Sequence, residues 1–392
     1  MRTLFKAIFW IIGILAALIA LLEITGNGQI VSGVRYTYLK GRSGPEIDDR
    51  NFFPYATIPA DDPQPWPKGK RYGHLSLNGD QVRTLAKYHT VGFVVIKDDS
   101  LLFEDYFNGW REDSVSNSFS MAKSYISMLT GVAMQEGKIT DLKTPVGRYL
   151  PEFDTFYPCH KDITLWNLLT MSTGLDWSES GANPFSDNAK GYYGRHVRKL
   201  AMDQPCREAP GKEFDYISGS TQIMADLLQK VYGKPLNELV REKIWKPLGA
   251  EHTAYWGKDR NDGDFKAFCC LYAVARDFGR IGQVWLDSGK WQGHRLIPAN
   301  YWRESITPAP LTDDGQPNQR YGFYWWLGTV DGMPFYYCRG FHGEYTVVIP
   351  QERLVMVRTG MKWEDHSPGL VPQDAMEYIA VARELVGGKG EF

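Results

Sequence analysis

Strand-forming segments occur at both ends of this 392-residue chain, and a mainly helical stretch separates them. Residues 91–96 and 101–107 are rich in β-branched and aromatic residues and flank a four-residue turn, which predicts a β-hairpin. Segments of the same kind recur late in the chain, at 321–326, 335–338, 345–349 and 354–358. Because strands must pair, this order predicts an α+β fold: an antiparallel sheet from both chain ends, flanked by helices, with a helical subdomain inserted at about residues 146–264.

The N-terminus carries an apolar run from Ile8 to Leu22, which Arg2 and Lys6 precede. About 20 apolar residues cross a bilayer as one helix, so residues 1–27 are predicted to be a transmembrane signal anchor with the membrane as its partner. The sequence that ends the run gives a signal peptidase little to recognise, which favours an uncleaved anchor over a cleaved signal peptide. A buried core helix is the alternative, and basic residues beyond the run leave its orientation open.

Prolines are frequent between the apolar run and the first strands, at Pro54, Pro59, Pro63, Pro65 and Pro67. Proline breaks the periodicity of helices and strands. Residues 28–85 are therefore predicted to be an extended arm or linker, and residues 86–390 to be the globular domain.

Charge and cysteine content exclude some classes of partner. Lys and Arg number 44 against 46 Asp and Glu, with no long block of like charge, so a nucleic-acid partner is not expected. The five cysteines are too few for a disulfide framework in a chain of this length, and none has the spacing of a metal site. If the domain is exported, at least one thiol stays unpaired or pairs between chains.

The motif Ser120-Met121-Ala122-Lys123 follows the hairpin and opens a helical pattern. A serine at a helix start and a lysine three positions later lie on one face, so their hydroxyl and amine can meet. Burial lowers the pKa of a lysine, and a neutral amine can take the serine proton. The alternative is a capping serine followed by a surface lysine.

Two further segments agree with this chemistry. Tyr216 lies in a turn-rich stretch before a helix, where its phenol can share the proton with Lys123; a core tyrosine is the alternative. Gly340 and Gly343 flank the dipeptide Phe341-His342 before a late strand and permit close backbone approach to a ligand; a β-bulge is the alternative.

In this order, Ser120-Met121-Ala122-Lys123, Tyr216-Ile217-Ser218 and Gly340-Phe341-His342-Gly343 resemble the three motifs of class C β-lactamases, family VIII esterases and 6-aminohexanoate-dimer hydrolases. The resemblance spans about residues 88–387. It implies a β-lactamase or penicillin-binding-protein-like fold, an acyl-enzyme on Ser120, Lys123 as base with Tyr216 as its proton partner, and no cofactor or metal. It also implies an oxyanion hole made by the backbone N–H groups of Ser120 and Phe341.

Departures from that family pattern narrow the expected activity. The β-lactamases have Lys-Thr-Gly where this chain has Phe341-His342-Gly343, which argues against efficient β-lactam hydrolysis and favours the amide hydrolase and esterase branch. Ser218 takes the place of an asparagine. No Gly-x-Ser-x-Gly motif is present to support a Ser-His-Asp triad of the α/β-hydrolase type. The residues expected to contact substrate are Ser218, Gly340, His342, Gly343, Trp177 and His366.

The expected function is hydrolysis of a small ester, amide or short peptide by a domain on the periplasmic side of a bacterial-type inner membrane. A D-alanyl peptidase or weak β-lactamase is the first alternative, and Arg339 is then the nearby cation for a terminal carboxylate. A non-catalytic member that binds peptide or cell-wall fragments is the second, and Ser218 is its main support. Cys159 and Cys206 precede segments placed near the cleft and are expected to pair.

Overall fold

The computed structural model describes residues 1–364 and 370–387. Its helices are α1 Arg2–Ile24, α2 Gly28–Tyr36, α3 Gly79–Lys87, α4 Ala122–Gln135, α5 Leu165–Leu169, α6 Asp187–Tyr193, α7 Val197–Met202, α8 Ser218–Tyr232, α9 Leu236–Val240, α10 Ala275–Leu286, α11 Ala299–Ser305 and α12 Gln373–Gly387. Its strands are β1 Tyr55–Ile58, β2 Thr90–Lys97, β3 Ser100–Tyr106, β4 Ser116–Asn117, β5 Ala254–Gly257, β6 Leu271–Ala273, β7 Lys290–Trp291, β8 His294–Arg295, β9 Thr312–Asp313, β10 Gln316–Pro317, β11 Trp326–Val330, β12 Met333–Gly340, β13 Glu344–Ile349 and β14 Leu354–Gly360.

The main sheet has six antiparallel strands in the order β11-β12-β13-β14-β2-β3. The early hairpin β2–β3 joins the late strands through the pairing of β2 with β14, where Leu354 lies opposite Lys97. Strands from both chain ends therefore form one sheet, as the sequence predicts. The late segment at 321–326 is the exception, because β11 begins only at Trp326 and Tyr324 has a left-handed backbone (φ 60°) that no strand accommodates.

Helices cover both faces of this sheet. α10 packs on the face to which Thr346 points, because a Cβ built on its Gly282 would lie 2.9 Å from the Thr346 methyl. Successive strand residues point to opposite faces, and Tyr345 accordingly contacts α12, where its hydroxyl donates to Asp374 (3.0 Å). The helices α5 to α9 lie between β4 and β5 in the chain and form the inserted helical region.

The segment 28–85 differs from the expected extended arm, because it contains α2, β1 and α3. β1 pairs with β5 in a second, four-stranded sheet of order β1-β5-β6-β4. Pro54 and Pro59 border β1 without interrupting its pairing, because a proline removes only its own N–H donor. The arm is therefore joined to the domain by backbone hydrogen bonds.

Four of the five cysteines form two disulfides. Cys159 and Cys206 form a disulfide, as predicted, and the adjacent Cys269 and Cys270 form a second. The remaining thiol, Cys338, is free and buried in the core. His160 lies beside the first pair, but both of its ring nitrogens hydrogen-bond backbone carbonyls, so this group is not arranged as a metal site.

Candidate active site

Ser120 lies in a short 3-10 turn, Phe119–Met121, directly before α4. Strand β4 leads into this turn, and the Ser118 N–H donates to the carbonyl of Leu271 (2.8 Å). Phe119 has a left-handed backbone (φ 43°), a conformation that nonglycine residues adopt only where the surroundings enforce it. The turn leaves Ser120 partly exposed while the residues on either side are buried. The Ser120 hydroxyl is therefore accessible to solvent, while the residues on either side of it hold the turn in the core.

Lys123 points back from the first turn of α4 toward this hydroxyl. Its Nζ lies 2.9 Å from Ser120 Oγ and 3.0 Å from the carbonyl oxygen of Phe268. The side chain is buried, and burial lowers the pKa of Lys123 to about 8, against an opposing contribution from the negative charge of Glu179. Near neutral pH, a fraction of this lysine is a neutral amine in contact with a serine hydroxyl.

Tyr216 is the third residue of this contact group. Its phenol lies near the Ser120 side chain, and the Lys123 ammonium lies 4.9 Å from the centre of its ring. Burial raises the pKa of the Tyr216 phenol well above its usual range, so it stays protonated. The structure thus brings together the three residues that the sequence predicts as a catalytic set.

Glu179 is the site residue that sequence reasoning missed. Its carboxylate accepts hydrogen bonds from the Trp177 indole (2.7 Å), the Ser218 hydroxyl (2.5 Å) and the Ser218 backbone N–H (3.0 Å). Desolvation raises the pKa of Glu179, and the nearby Lys123 charge partly offsets that rise. An acid at the N-terminus of α8 is favoured by the helix dipole. The structure therefore holds a half-buried carboxylate whose charge acts on Lys123.

Trp177 and Ser218 are placed differently from the expectation that they contact substrate. Both side chains are buried, at 4% and 1% exposed. The Trp177 ring covers Gly219 on α8, where an added Cβ would lie 2.7 Å from the ring, and both residues donate to Glu179. They position Glu179 rather than face the cleft.

The third motif meets the serine turn at the end of β12. A Cβ added to Gly340 would lie 2.3 Å from the carbonyl oxygen of Ser118, so only glycine allows this close approach. Phe341 is 38% exposed and its ring lies 5.6 Å from that of Phe119. The backbone of the motif therefore runs directly beside the nucleophile turn.

Of the remaining expected contact residues, His342 and Gly343 lie within the described part of the chain and His366 does not. The His342 Nε2 lies 2.8 Å from the Pro45 carbonyl of the arm, and Gly343 accepts a hydrogen bond from Arg358 (2.9 Å), so both are used in packing rather than in facing the cleft. Burial lowers the pKa of His342. His366 lies outside the described residues. Arg339 sits between two indoles, 5.4 Å from the ring centre of Trp326 and 5.1 Å from that of Trp363.

Comparison with known proteins identifies the family and the fold of this chain. The Beta-lactamase family model matches residues 80–369. The chain is similar to the 6-aminohexanoate-dimer hydrolase of Paenarthrobacter ureafaciens, with 26% identity over 309 residues, 73% of this chain and 76% of that protein. It is also similar to D-alanyl-D-alanine-carboxypeptidase/endopeptidase AmpH of Escherichia coli, with 27% identity over 145 residues, 36% of this chain and 37% of that protein. A solved structure assigned as a 6-aminohexanoate-dimer hydrolase of Bacillus anthracis matches with a TM-score of 0.72 at 21% identity, over 90% of this chain and 93% of that chain.

Proposed function

This chain belongs to the beta-lactamase family of serine hydrolases, and we propose that it cleaves an ester or amide bond through an acyl-enzyme on Ser120. The observation that carries the proposal is the contact of 2.9 Å between a buried lysine of lowered pKa and a partly exposed serine hydroxyl. A nucleophile within hydrogen-bond reach of a base is the arrangement that covalent hydrolysis needs. The α+β fold of the family supplies both residues from one helix start.

Acylation begins when neutral Lys123 takes the proton of the Ser120 hydroxyl. The serine oxygen then bonds to the carbonyl carbon of the substrate, and the carbonyl oxygen becomes negatively charged. The backbone N–H groups of Ser120 and Phe341 are proposed to donate to that oxygen, which is the interaction that lowers the barrier most in acyl transfer. The close approach of Gly340 to Ser118 supports this pairing of the two backbone segments.

Tyr216 is proposed to relay the proton. Its phenol lies near Ser120 and stays protonated, so it can pass a proton to the departing alcohol or amine while it recovers one from Lys123. Water then attacks the acyl-enzyme, gives a proton to the same pair, and releases the carboxylic acid. Ser120 regains its proton and the cycle closes without a cofactor.

The substrate is proposed to resemble those of the amide hydrolase and esterase branch. The cleft mouth beside Ser120 is aromatic, with Phe341 in contact with Trp363 (5.4 Å between ring centres) and Tyr216 in contact with Trp326 (5.4 Å). Such a mouth fits an apolar acyl group or a linear amide. The similarity to 6-aminohexanoate-dimer hydrolase supports the same branch.

A D-alanyl peptidase is the second candidate, and Arg339 favours it. Its guanidinium lies 5.4 Å from the ring centre of Trp326, which contacts Tyr216, so it is close to the cleft and can receive a terminal carboxylate. In that case Arg339→Gln lowers the kcat/KM of a peptide ending in D-alanine and leaves a neutral ester unaffected. Equal loss on both substrates would leave the ester and amide hydrolase as the better assignment.

We also propose that α1 anchors the enzyme in a bacterial-type inner membrane with the hydrolase domain in the periplasm. The helix has 23 residues, is strongly apolar and has no buried residue, so it is long and apolar enough to span a bilayer. Two disulfides support an oxidising compartment for the domain.

The proposal is tested by labelling the full chain in detergent with a fluorophosphonate and measuring its intact mass. We expect one adduct on the wild type and none on Ser120→Ala. Ser124→Ala is the matched control, because this serine lies next to Lys123 on α4 but donates its hydroxyl to the carbonyl of Tyr324 (2.6 Å). An adduct that survives in Ser120→Ala, or that disappears in Ser124→Ala alone, contradicts the assignment.

A further inference from the structure

The distance between the anchor and the hydrolase domain is short. Only Thr25, Gly26 and Asn27 separate α1 from α2. The Thr25 hydroxyl donates to the Leu21 carbonyl (2.8 Å) and the Asn27 N–H to the Leu22 carbonyl (2.7 Å), so the junction is held by hydrogen bonds. α2 therefore begins where the bilayer span ends.

α2 is docked on the domain rather than free. The Gln29 side chain donates to the carbonyl of Pro184 (3.2 Å), and the Tyr36 ring lies 4.9 Å from that of Phe53. Gly33 packs against Tyr193 at the end of α6, because a Cβ added to Gly33 would lie 3.8 Å from the tyrosine ring. The arm thus holds the domain at a fixed distance from the end of the membrane span.

The same arm continues to the nucleophile turn. Tyr192, on α6, donates its hydroxyl to Asp49 of the arm (2.7 Å) and stacks on Phe119, the residue before Ser120, with 6.5 Å between ring centres. A single helix, α6, therefore lies between α2 and the nucleophile turn. A helix with its side chains is about 10 Å across, so the nucleophile turn lies one helix layer away from α2.

The surface around α2 has the composition of a membrane interface. Tyr38 and Leu39 are 68% and 73% exposed, Val34 is also exposed, and exposed Arg35 and Lys40 alternate with them. We call residues 34–40 the interface segment. Exposed apolar side chains with tyrosine and basic residues are typical of segments that lie in the headgroup region and attract anionic lipids.

Exposed apolar side chains occur in two further places. Phe185 follows Pro184, the partner of Gln29, and is 55% exposed. Beside the nucleophile turn, Phe341 is 38% exposed. Exposed apolar side chains therefore lie both next to the anchor and at the rim of the site that holds Ser120.

We propose that the cleft works at the bilayer surface and that its substrate is an amphiphile, an ester or amide whose apolar chain remains in the membrane while the scissile bond reaches Ser120. This inference rests on the proposed hydrolase function and names the substrate class of the same site. Anchoring enzyme and substrate in one membrane raises their effective concentration and leaves only a short transfer to the cleft. The reaction is the acyl transfer described above, with water as the second reactant.

The test uses the full chain reconstituted into vesicles of phosphatidylethanolamine and phosphatidylglycerol. Two 4-nitrophenyl esters with the same scissile bond are compared: the soluble butyrate and the bilayer-resident palmitate. The paired substitution Leu39→Ser with Phe185→Ser removes apolar surface next to the membrane. The control is Val82→Ser with Phe156→Ser, which removes exposed apolar side chains (45% and 37% exposed) from α3 and from the helical region.

We expect the interface variant to lose about tenfold in kcat/KM on palmitate while butyrate hydrolysis stays unchanged, and the control pair to change neither. Equal turnover of palmitate in wild type and interface variant overturns the inference, and so does an equal loss on both esters. If wild type hydrolyses neither ester and takes no fluorophosphonate, the proposed function fails and this inference with it. If the wild type hydrolyses butyrate but not palmitate, the inference of a membrane-resident substrate is overturned and the proposed hydrolase function stands.

Discussion

Two lysines of this molecule are buried near the same loop. Lys266 belongs to the loop, and Lys123 donates to the carbonyl of its residue Phe268. Lys123 and Lys266 are each 1% exposed, and burial lowers the pKa of Lys123 to about 8 and that of Lys266 to about 7. By burial and pKa alone, Lys266 is the better candidate for a neutral amine at physiological pH. Only their surroundings separate them.

The surroundings differ in what the amine touches. Lys123 contacts the hydroxyl of Ser120, which is partly exposed and open to substrate. Lys266 donates to the backbone carbonyl of Tyr192 and lies 3.8 Å from the centre of the Phe53 ring, inside an aromatic cluster that the arm closes. A lowered pKa therefore marks desolvation, and contact with an accessible nucleophile is what assigns a role as base.

Lys123→Met tests whether Lys123 is the catalytic base, and it has the largest expected effect. The substitution keeps the apolar stem but removes the amine that accepts the serine proton, so kcat should fall by about 10³-fold or more. Turnover of a chromogenic ester, measured together with the melting temperature, checks this. Retained turnover in a folded Lys123→Met variant contradicts the proposed role of Lys123 as base.

Local sequence patterns predict one of these lysines and not the other. The spacing of Ser120 and Lys123 is fixed within one helical turn, so their contact can be predicted from sequence, as can the strands, whose alternation is equally local. The cage of Lys266 is built by Phe53 and Tyr192, which are distant in the chain. Glu179 was missed for the same reason, since its contact with Ser218 spans 39 residues. Its position two residues after Trp177 was the only local signal.

The arm shows a second limit of sequence reasoning. A proline-rich stretch predicts irregular backbone, and that holds at residues 59–67. At residues 55–58 it does not hold, because the pairing of Tyr55 with Gly257 depends on a strand far along the chain. Likewise, His342 is expected to face substrate from its motif, whereas its ring is held by Pro45 of the arm. Residues whose partners lie in another segment are the ones that local patterns place wrongly.

Tyr216→Phe tests the proposed proton relay next to Lys123. The phenol lies near Ser120 and is proposed to relay a proton, so its loss should lower kcat by about 100-fold while KM changes little. Steady-state kinetics on one ester and one amide of the same acyl group test this. An unchanged kcat on both substrates would leave Tyr216 with a packing role only.

Glu179→Gln tests whether electrostatics distinguish the Lys123 pocket. The Glu179 charge raises the pKa of Lys123, so its removal lowers that pKa further. Because the neutral amine is the active form, the acidic limb of the kcat/KM profile should move to lower pH by about one unit. Ser218→Ala is the matched control, since it removes one hydrogen bond to Glu179 but keeps the charge. A limb that shifts equally in both variants refutes the electrostatic explanation.

Lys266→Met addresses the other side of the comparison and has the smallest effect on activity, with kcat expected within twofold of wild type. Its signature is in stability. The pKa of Lys266 is about 7 in the folded protein and about 10.4 in an unfolded chain, so the unfolded state binds more protons between these values. Wild-type unfolding free energy should therefore rise from pH 7 to pH 10, by about 3 kcal/mol relative to the methionine variant. Denaturant unfolding of both proteins across this range measures the difference. Parallel pH dependence, or a large loss of turnover, would mean that the two lysines are not separated in the way their contacts indicate.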